Sequence, residues 1–389
     1  FRLTNALEPG KKTGAGQRLL RSVGLKECIE KAAEASAWHD FKRSRRRAPE
    51  EENPWRRGIG IGLAFKNVGL GNASERDKAA AEITLEPGDR VKIRTGAAEV
   101  GQGMTTILCQ LAAEALGVPY EQVDIEIGDT LRTPESGVSS ASRQTFMTGN
   151  AVVRAAQELK EQILRVASDV MDVPFELLNI EEGVIRAGGN PNLLMTLGEL
   201  CQRAGERTFK ADNLYVPPIT HAWGESDEEG YKTHVTYGYG AQIAEVRVNE
   251  DTGEVVVDRI VAAHDVGRTI HPAAVRGQIG GGIVQGLGYT LWEEYRVENG
   301  KPKSKLFKKC GMPGIDQVPK IKTIIVEDHE ADGPFGAKGV GEISTVPTAP
   351  AIANAIYDAV GVRITDLPVT PAKVRAALRA RQKLVETAS

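Results

Sequence analysis

The stretch GPFGAKGVGEISTVPTAPAIANAIYDAVG, residues 333–361, joins a glycine-rich loop to an apolar helix. Its loop carries a single carboxylate, Glu342, and no basic residue follows until Arg363. Pro347 and Pro350 predict that the helix begins well after Glu342, so helix capping is a strained explanation for this carboxylate. A carboxylate buried in a loop is able to act as a general base near neutral pH. The stretch therefore predicts a buried, catalytic Glu342.

Alternating apolar and polar segments earlier in the chain predict two β-hairpins, which turn at 87–89 and at 251–253. Helical periodicity predicts helices over 104–118, 149–171 and 371–386. Hairpins and helices are mixed in each half of the chain. This mixture predicts an α+β fold with two subdomains of mixed sheets and helices.

Residues 16–36 have helical periodicity interrupted by a glycine, and residues 40–58 carry a basic run followed by an acidic run. Such charge runs are usually solvated connectors, and a net charge of −3 gives no reason to expect a nucleic acid as partner. The predicted subdivision is an N-terminal helical segment and charged linker over 1–57, a first subdomain over 58–215, and a second subdomain with the catalytic loop over 216–389.

Cysteine and histidine spacing limits the other classes of site. The four cysteines are far apart and form no CxxC pair, so neither a zinc site nor a local iron–sulfur site is predicted. Free thiols in a reducing compartment are the favoured interpretation. His264 and His271 flank DVGRTI without a metal-binding spacing and are interpreted as structural. No apolar run reaches the length needed to cross a bilayer.

EVGQGMTT, residues 99–106, is the first of three glycine-rich or polar stretches that could bind a ligand. Backbone N–H groups at the start of a helix form an anion site, and glycines let a ligand approach closely. The Gln102 amide can both donate and accept hydrogen bonds. The stretch predicts a site for a phosphate or a polar heterocycle, with a tight turn and helix cap as the alternative.

The other two stretches add uncharged polar groups. SSASRQTFMTGNAV, residues 139–152, holds more hydroxyls and amides than a helix cap requires, which indicates a hydrogen-bonded ligand. RGQIGGGIVQGLGYTLWEEY, residues 276–295, is helical in its later part although each helical glycine costs about 1 kcal/mol relative to alanine. Close helix packing or close contact with a cofactor would offset this cost. Gln278 and Gln285 supply further amides.

In this order, the motifs EVGQG, SRQT with GNA, GQIGGGIVQGLGY and GPFGAKGVGE resemble those of the molybdenum hydroxylases, the xanthine dehydrogenase and aldehyde oxidoreductase family. The resemblance covers nearly the whole chain and corresponds to the C-terminal half of the molybdopterin-binding large subunit. It implies that the cofactor lies in a cleft shared with a partner half. It also implies that 58–215 and 216–389 are two molybdopterin-binding subdomains.

The resemblance implies roles for individual residues. Glu342, in GVGE, falls on the family's catalytic base. Gln102 and Gln278 fall on amides that hydrogen-bond the pterin, and Gly341 falls beside the ligand sphere of the metal. The cofactor-binding positions that it implies are Gly101, Gln102, Gly103, Ala141, Ser142, Arg143, Gln144, Gln278, Lys338, Gly339, Val340 and Gly341.

The implied cofactor is molybdopterin with molybdenum, and whether it takes the cytosine dinucleotide form stays open. The metal is held by the pterin dithiolene, so no protein ligand to a metal is expected. The family's first molybdenum half carries a GGGFGGK-type loop and an FRGFG-type loop, and the chain has neither. We therefore expect one subunit of a split enzyme, or a cleaved product that stays bound, in the cytoplasm. Expected partners are a subunit with the first molybdopterin half, an iron–sulfur subunit with [2Fe-2S] clusters and a flavin subunit with FAD.

The implied reaction is oxidative hydroxylation of an aromatic N-heterocycle, purine or nicotinate-like, or of an aldehyde. Water supplies the oxygen, and the electrons leave through iron–sulfur clusters. Alternatives are a CO dehydrogenase-like or hydroxybenzoyl-CoA reductase-like large subunit, and a cofactor scaffold without turnover, for which Glu342 would have no use. The small-molecule substrate is not readable, although LAFKNVGLGN, residues 63–72, is expected to form one wall of its site.

Overall fold

The computed structural model describes residues 1–47, 53–205, 207–224 and 230–388. The helices are α1 (Arg2–Asn5), α2 (Leu25–Ala35), α3 (Trp38–Arg47), α4 (Met104–Leu116), α5 (Gly149–Met171), α6 (Leu197–Arg203), α7 (Pro272–Leu291), α8 (Phe307–Cys310), α9 (Thr348–Val360) and α10 (Pro371–Ala388). The strands are β1 (Trp55–Val68), β2 (Ala79–Glu86), β3 (Arg90–Thr95), β4 (Val123–Ile127), β5 (Leu178–Glu181), β6 (Val184–Ala187), β7 (Asn190–Thr196), β8 (Phe209–Tyr215), β9 (Thr236–Asn249), β10 (Val255–Asp265), β11 (Val297–Glu298), β12 (Lys301–Pro302) and β13 (Lys320–Val326).

One mixed sheet has the strand order β1-β9-β10-β13. β1 and β10 each pair antiparallel with β9, and β13 pairs parallel with β10. Buried side chains of α2 pack on one face of this sheet, and those of α7 and α9 pack on the other. The sheet is therefore enclosed between helices, which makes it a rigid base for the loops at its edge.

The glycine pattern of β1 is explained by α9, which lies directly on it. A Cβ atom at Gly60 would lie 2.1 Å from the backbone nitrogen of Ala355, and one at Gly62 would lie 2.1 Å from the carbonyl oxygen of Pro347. Close-packed interiors do not tolerate such distances, so only glycine permits this contact. Because α9 begins at Thr348, shortly after Glu342, the contact also fixes where the loop that carries Glu342 can lie.

A second sheet has the order β4-β3-β2-β8 and packs against α4 and α5 around a separate apolar core. A single π-helical turn, Gln144–Thr148, leads into α5, and such turns are frequent at functional sites. The small sheet β5-β6-β7 adjoins this region. In the described ranges, no helix combines the length and the apolar character needed to span a membrane.

The α+β class and both hairpins are confirmed, since β2 pairs with β3 and β9 pairs with β10. The helix predicted over 16–36 is wrong in its first part, because α2 covers only Leu25–Ala35. The preceding segment is held in a non-helical form by Gln17, whose side-chain oxygen accepts hydrogen bonds from the backbone nitrogens of Thr233 and His234.

The region predicted as a charged linker is partly helical, because its basic run lies in α3. The acidic run at 50–52 falls outside the described residues. The predicted subdomain ranges remain a prediction, but the strand pairing departs from them at one point. β1 lies mostly in the predicted first subdomain, 58–215, but it pairs with β9, which lies in the predicted second subdomain, 216–389. The sequence shows no strong alternation of apolar and polar residues over strands β5 to β8, so only the structure reveals them.

Candidate cofactor-binding and catalytic site

Two loops, one before α5 and one before α9, meet in direct contact. A Cβ atom at Gly339 would lie 1.7 Å from the carbonyl oxygen of Ser142. The Ser142 hydroxyl donates to Oε2 of Glu342 at 2.9 Å and accepts from the Glu342 backbone nitrogen at 3.1 Å. The structure therefore brings together two of the motifs that the sequence singled out.

The first of these loops has an unusual backbone at its tip. Ala141 and Ser142 both have positive φ angles, 55° and 50°. The left-handed conformation costs roughly 1–2 kcal/mol for a residue with a Cβ, so the surrounding structure must stabilise it. The Ala141 carbonyl accepts a hydrogen bond from the Gly69 nitrogen at 2.9 Å, which helps to hold the turn.

Arg143 is the main anchor of this loop. The sequence places Arg143 among the cofactor-binding residues, but its side chain is fully buried and faces the protein interior. Its guanidinium bonds the Asp77 carboxylate at 3.1 Å and the carbonyls of Ser136 and Lys78 at 2.6 and 2.7 Å. Since all three nitrogens have protein acceptors, the guanidinium positions the loop, and a contact of Arg143 with the cofactor stays a prediction.

Lys338 is a second buried anchor. Its ammonium is fully buried, 2.6 Å from the Asp265 carboxylate and 3.0 Å from the Ser22 carbonyl. The other Asp265 oxygen accepts from the Gly267 nitrogen at 3.0 Å. The Lys338 side chain therefore secures the loop from beneath, and the assignment of Lys338 to the cofactor-binding residues stays a prediction.

A buried polar network also supports the loop after Glu342. The Gln242 amide donates to the Ser344 carbonyl at 2.6 Å and accepts from the Thr348 hydroxyl at 2.7 Å. The Ser344 hydroxyl lies 3.3 Å from the carbonyls of both Gly341 and Gln278. The network thus ties β9, α7 and the loop that carries Glu342 together.

Both histidines singled out in the sequence have positions that fit a structural role. His264 is fully buried, 3.2 Å from the Gln242 amide nitrogen, and burial lowers its pKa to about 4. It is therefore neutral at pH 7. The His271 side chain accepts a hydrogen bond from the Ala274 nitrogen at 3.2 Å and caps the start of α7.

A cavity of about 250 Å³ lies between the two loops and α7. It is lined by Val100, Gln102, Ser139, Ser140, Ser142, Arg143, Gln144, Thr145, Gln278, Gly339, Val340, Gly341 and Glu342. A larger cavity, of about 770 Å³, contains Arg268 and Phe335 but none of the predicted site residues. The smaller cavity is the candidate site because most of the predicted residues converge there, although Gly101, Gly103, Ala141 and Lys338 are not in its lining.

The start of α4 does not offer the free anion site that the sequence predicted, because Glu99 already occupies it. The Glu99 carboxylate accepts hydrogen bonds from the backbone nitrogens of Gly101, Gly103 and Thr105 at 2.8, 3.0 and 3.1 Å. Burial raises the pKa of Glu99, but these backbone donors outweigh burial and the net pKa is lowered. Gly101 and Gly103 therefore shape a capped turn, which was the alternative interpretation.

Glu99→Gln is expected to lower the free energy of unfolding by about 1 kcal/mol at pH 7, because it removes a charged cap. The pKa of Glu99 is lower in the folded protein than in the unfolded chain, where it is about 4.3. The ionised carboxylate therefore stabilises the fold at every pH above about 4.3. This stabilisation is lost as the pH falls through the pKa of the folded state. The free energies of unfolding of wild type and variant, measured in urea from pH 7 to pH 3, should become more similar below about pH 4.3. Glu75→Gln, at an exposed position, is the control. A difference that does not depend on pH would contradict this role.

The three candidate amides differ in how free they are to bind a ligand. Gln102 accepts from the Val100 nitrogen at 2.6 Å and donates to the Ala98 carbonyl at 3.0 Å. Gln144 donates to the Ser139 hydroxyl at 2.8 Å and accepts from the Thr148 hydroxyl at 2.6 Å. The Gln278 side chain makes no hydrogen bond with the residues that the structure describes, so its amide is the most available of the three.

Glu342 is less buried than the sequence predicted, with 47% of its side chain exposed. The loop lies at the mouth of the cavity rather than inside it, which explains the difference. Lys66 lies next to it, with its ammonium nitrogen 3.1 Å from Oε2 of Glu342. Sequence reasoning assigned no role to Lys66, although it lies in the 63–72 segment that was expected to form one wall of the site.

Comparison with known proteins places the chain in a family. A family model described as a molybdopterin cofactor-binding domain matches residues 31–319. The chain belongs to this family. The loop that carries Glu342 lies beyond the matched range.

Individual relatives agree with this family. The chain is 32% identical over 321 residues to the gamma subunit of the 6-hydroxypseudooxynicotine dehydrogenase complex of Paenarthrobacter nicotinovorans, covering 82% of this chain and 39% of that protein. It is 29% identical over 379 residues to the xanthine dehydrogenase molybdenum-binding subunit of Escherichia coli O157:H7. This match covers 96% of this chain and 48% of that subunit. It also resembles the solved structure of reconstituted CO dehydrogenase from Oligotropha carboxidovorans, with a TM-score of 0.83 and 25% identity. This match covers 98% of this chain and 48% of that chain. The chain therefore spans half or less of the length of each.

Proposed function

We propose that this chain supplies the C-terminal molybdopterin-binding half, with the catalytic base, of a molybdenum hydroxylase. The observation that carries the proposal is the position of Glu342. Its carboxylate lies at the mouth of a cavity of about 250 Å³ and is hydrogen-bonded to Ser142 on the opposite loop. A carboxylate held in this way beside a ligand cavity suits a general base.

The residues of the cavity fit a pterin. Gln278 presents an amide without a hydrogen-bond partner among the described residues, and hydroxyls of the 139–145 loop line the opposite side. A Cβ atom at Gly341 would meet nothing nearer than the Ser142 hydroxyl at 3.8 Å. The site thus offers open backbone and uncharged hydrogen-bonding groups, which suit a flat polar heterocycle.

When bound, the molybdenum cofactor supplies the two-electron redox chemistry. The protein supplies position and proton transfer. Gln278 binds and orients the ligand, while the anchors at Arg143 and Lys338 keep the two loops in place. Glu342 removes a proton from the reacting oxygen nucleophile that originates from water. The reaction class is oxidative hydroxylation, with an aromatic N-heterocycle or an aldehyde as substrate.

The size of the cavity and the length of the chain support a partnership. A volume of about 250 Å³ is below the range of roughly 300–1,000 Å³ typical of complete ligand sites. The relatives above are subunits by name, and the chain spans half or less of each. We therefore propose that a subunit or segment with the first molybdopterin half completes the cleft, and that [2Fe-2S] and FAD partners accept the electrons.

The proposal is tested on the assembled protein, purified with its partners and analysed for molybdenum. Xanthine, nicotinate, benzaldehyde and CO are supplied with an artificial electron acceptor in ¹⁸O-labelled water. The expected result is turnover of at least one of the first three, with label from water in the product. A fully molybdenum-loaded assembly that oxidises only CO would favour the CO dehydrogenase-like alternative. An assembly without molybdenum would contradict the proposal.

Gln278→Ala is expected to weaken cofactor retention more than it changes the chemistry of the cofactor that remains. The variant removes hydrogen bonds to a polar ligand, which are worth roughly 1–3 kcal/mol when the partner is left unsatisfied. Molybdenum and pterin content after purification are the measurements. Gln285→Ala is the matched control, because Gln285 is exposed on the same helix and outside the cavity. Equal cofactor content in both variants would contradict a role for Gln278.

A further inference from the structure

Two side chains from separate segments of the chain converge on one oxygen of Glu342. The Lys66 ammonium, at the end of β1, lies 3.1 Å from Oε2. The Ser142 hydroxyl, on the loop before α5, lies 2.9 Å from the same atom. Oε1 has no hydrogen-bond partner within the described part of the chain. The two oxygens of this carboxylate are therefore in different environments.

We propose that Lys66 and Ser142 are positioning residues that hold Oε2, so that Oε1 is the oxygen that accepts the proton. This inference rests on the proposed role of Glu342 as the base. The terminal torsion of a glutamate side chain is broad and roughly two-fold, so an unrestrained carboxylate does not distinguish its oxygens. Two restraints on Oε2 remove that freedom and fix the direction of Oε1.

Lys66 is itself held in place, unlike most surface lysines. Its side chain is only 24% exposed. The ammonium has three N–H donors, and it has three acceptors: the carbonyl oxygen of Asn67 at 3.2 Å, the amide oxygen of Asn67 at 3.0 Å, and Glu342. The Asn67 amide in turn donates to the Gly69 carbonyl at 2.6 Å. The ammonium is thus pre-organised before it meets the carboxylate.

The two restraints connect the base to the β1-β9-β10-β13 sheet through Lys66 and to the loop before α5 through Ser142. Lys66 lies on β1, which pairs with β9 along its whole length. Ser142 lies next to Arg143, whose buried pair with Asp77 fixes the other loop. A displacement of about 1 Å at a catalytic group can cost about 100-fold in rate. Loss of either restraint is therefore expected to reduce turnover without removing the base.

The test uses Lys66→Met, Lys66→Arg and Ser142→Ala in the assembled, molybdenum-loaded protein. Lys66→Met and Ser142→Ala are each expected to lower kcat about 10–100-fold, with KM within about twofold. Lys66→Met is expected to leave the molybdenum content unchanged. Lys66→Arg keeps the charge and donors and should retain most of kcat. Lys210→Met is the control, because it breaks a lysine–glutamate pair with Glu82 that lies away from the cavity. A crystal structure of Lys66→Met should show a rotated Glu342 carboxylate.

Two results would overturn this inference. One is a wild-type kcat in Lys66→Met under conditions where Glu342→Gln is inactive, which leaves the base assignment intact. The other is a lowered melting temperature and lost molybdenum in Lys66→Met, which would mean that Lys66 only stabilises the fold. An active Glu342→Gln protein would instead overturn the proposed function itself, so the two failures are distinguishable.

Discussion

Glu342→Gln is expected to lower kcat by at least about 100-fold while molybdenum content stays near that of the wild type. Glutamine preserves the shape of the side chain and can still accept a hydrogen bond from Ser142, but it cannot take up a proton at neutral pH. The loss should therefore lie in the chemistry and not in the assembly of the site. The measurements are kcat and metal content in the assembled protein.

Glu135→Gln is the control for this variant, because Glu135 is exposed and lies outside the cavity lining. It should behave as the wild type. If Glu342→Gln keeps most of its activity with a fully loaded cofactor, Glu342 is not the base. If it loses molybdenum in proportion to activity, its role is in retention of the cofactor.

Gly339→Ala is expected to separate the two loops that form the site. Its Cβ atom would lie 1.7 Å from the Ser142 carbonyl oxygen, which is backbone and cannot rotate away. Overpacking of this kind costs roughly 1–3 kcal/mol. We expect a lower free energy of unfolding, and a loss of molybdenum because the cavity between the loops changes shape. Thermal unfolding and metal analysis measure the two effects.

Gly341→Ala is the matched control for protein stability. The nearest atom to its Cβ would be the Ser142 hydroxyl oxygen at 3.8 Å, an ordinary contact distance. It should leave the free energy of unfolding nearly unchanged, whatever it does to the cofactor. Equal unfolding energies for the two alanine variants would show that the loops are not packed as described.

The sequence predicted the elements with strong local signals. The hairpin turn at 87–89 and the helix that ends at Gly117 rest on turn and capping residues close to each other in the chain. The glycines of β1 are close together in the sequence, but the sequence does not show why glycine is needed there. Their partner is α9, far away in the sequence, and only tertiary structure brings the two together.

The same distinction holds in the site. Motifs located Ser142, Gln278 and Glu342, and the structure places all three around one cavity. Motifs could not tell that Arg143 and Lys338 turn inward, because this depends on distant carboxylates at Asp77 and Asp265. Nor could local patterns find Lys66, whose contact with Glu342 spans most of the chain.

The central claim is that molybdenum binds in the cavity between the loops at 139–145 and 339–342. Anomalous diffraction at the molybdenum edge from crystals of the assembled protein tests it most directly. The account predicts one molybdenum peak in this cavity, beside Glu342 and near Gln278. A peak in the larger cavity that contains Arg268 and Phe335, or a catalytically active protein with no molybdenum between these loops, would contradict it.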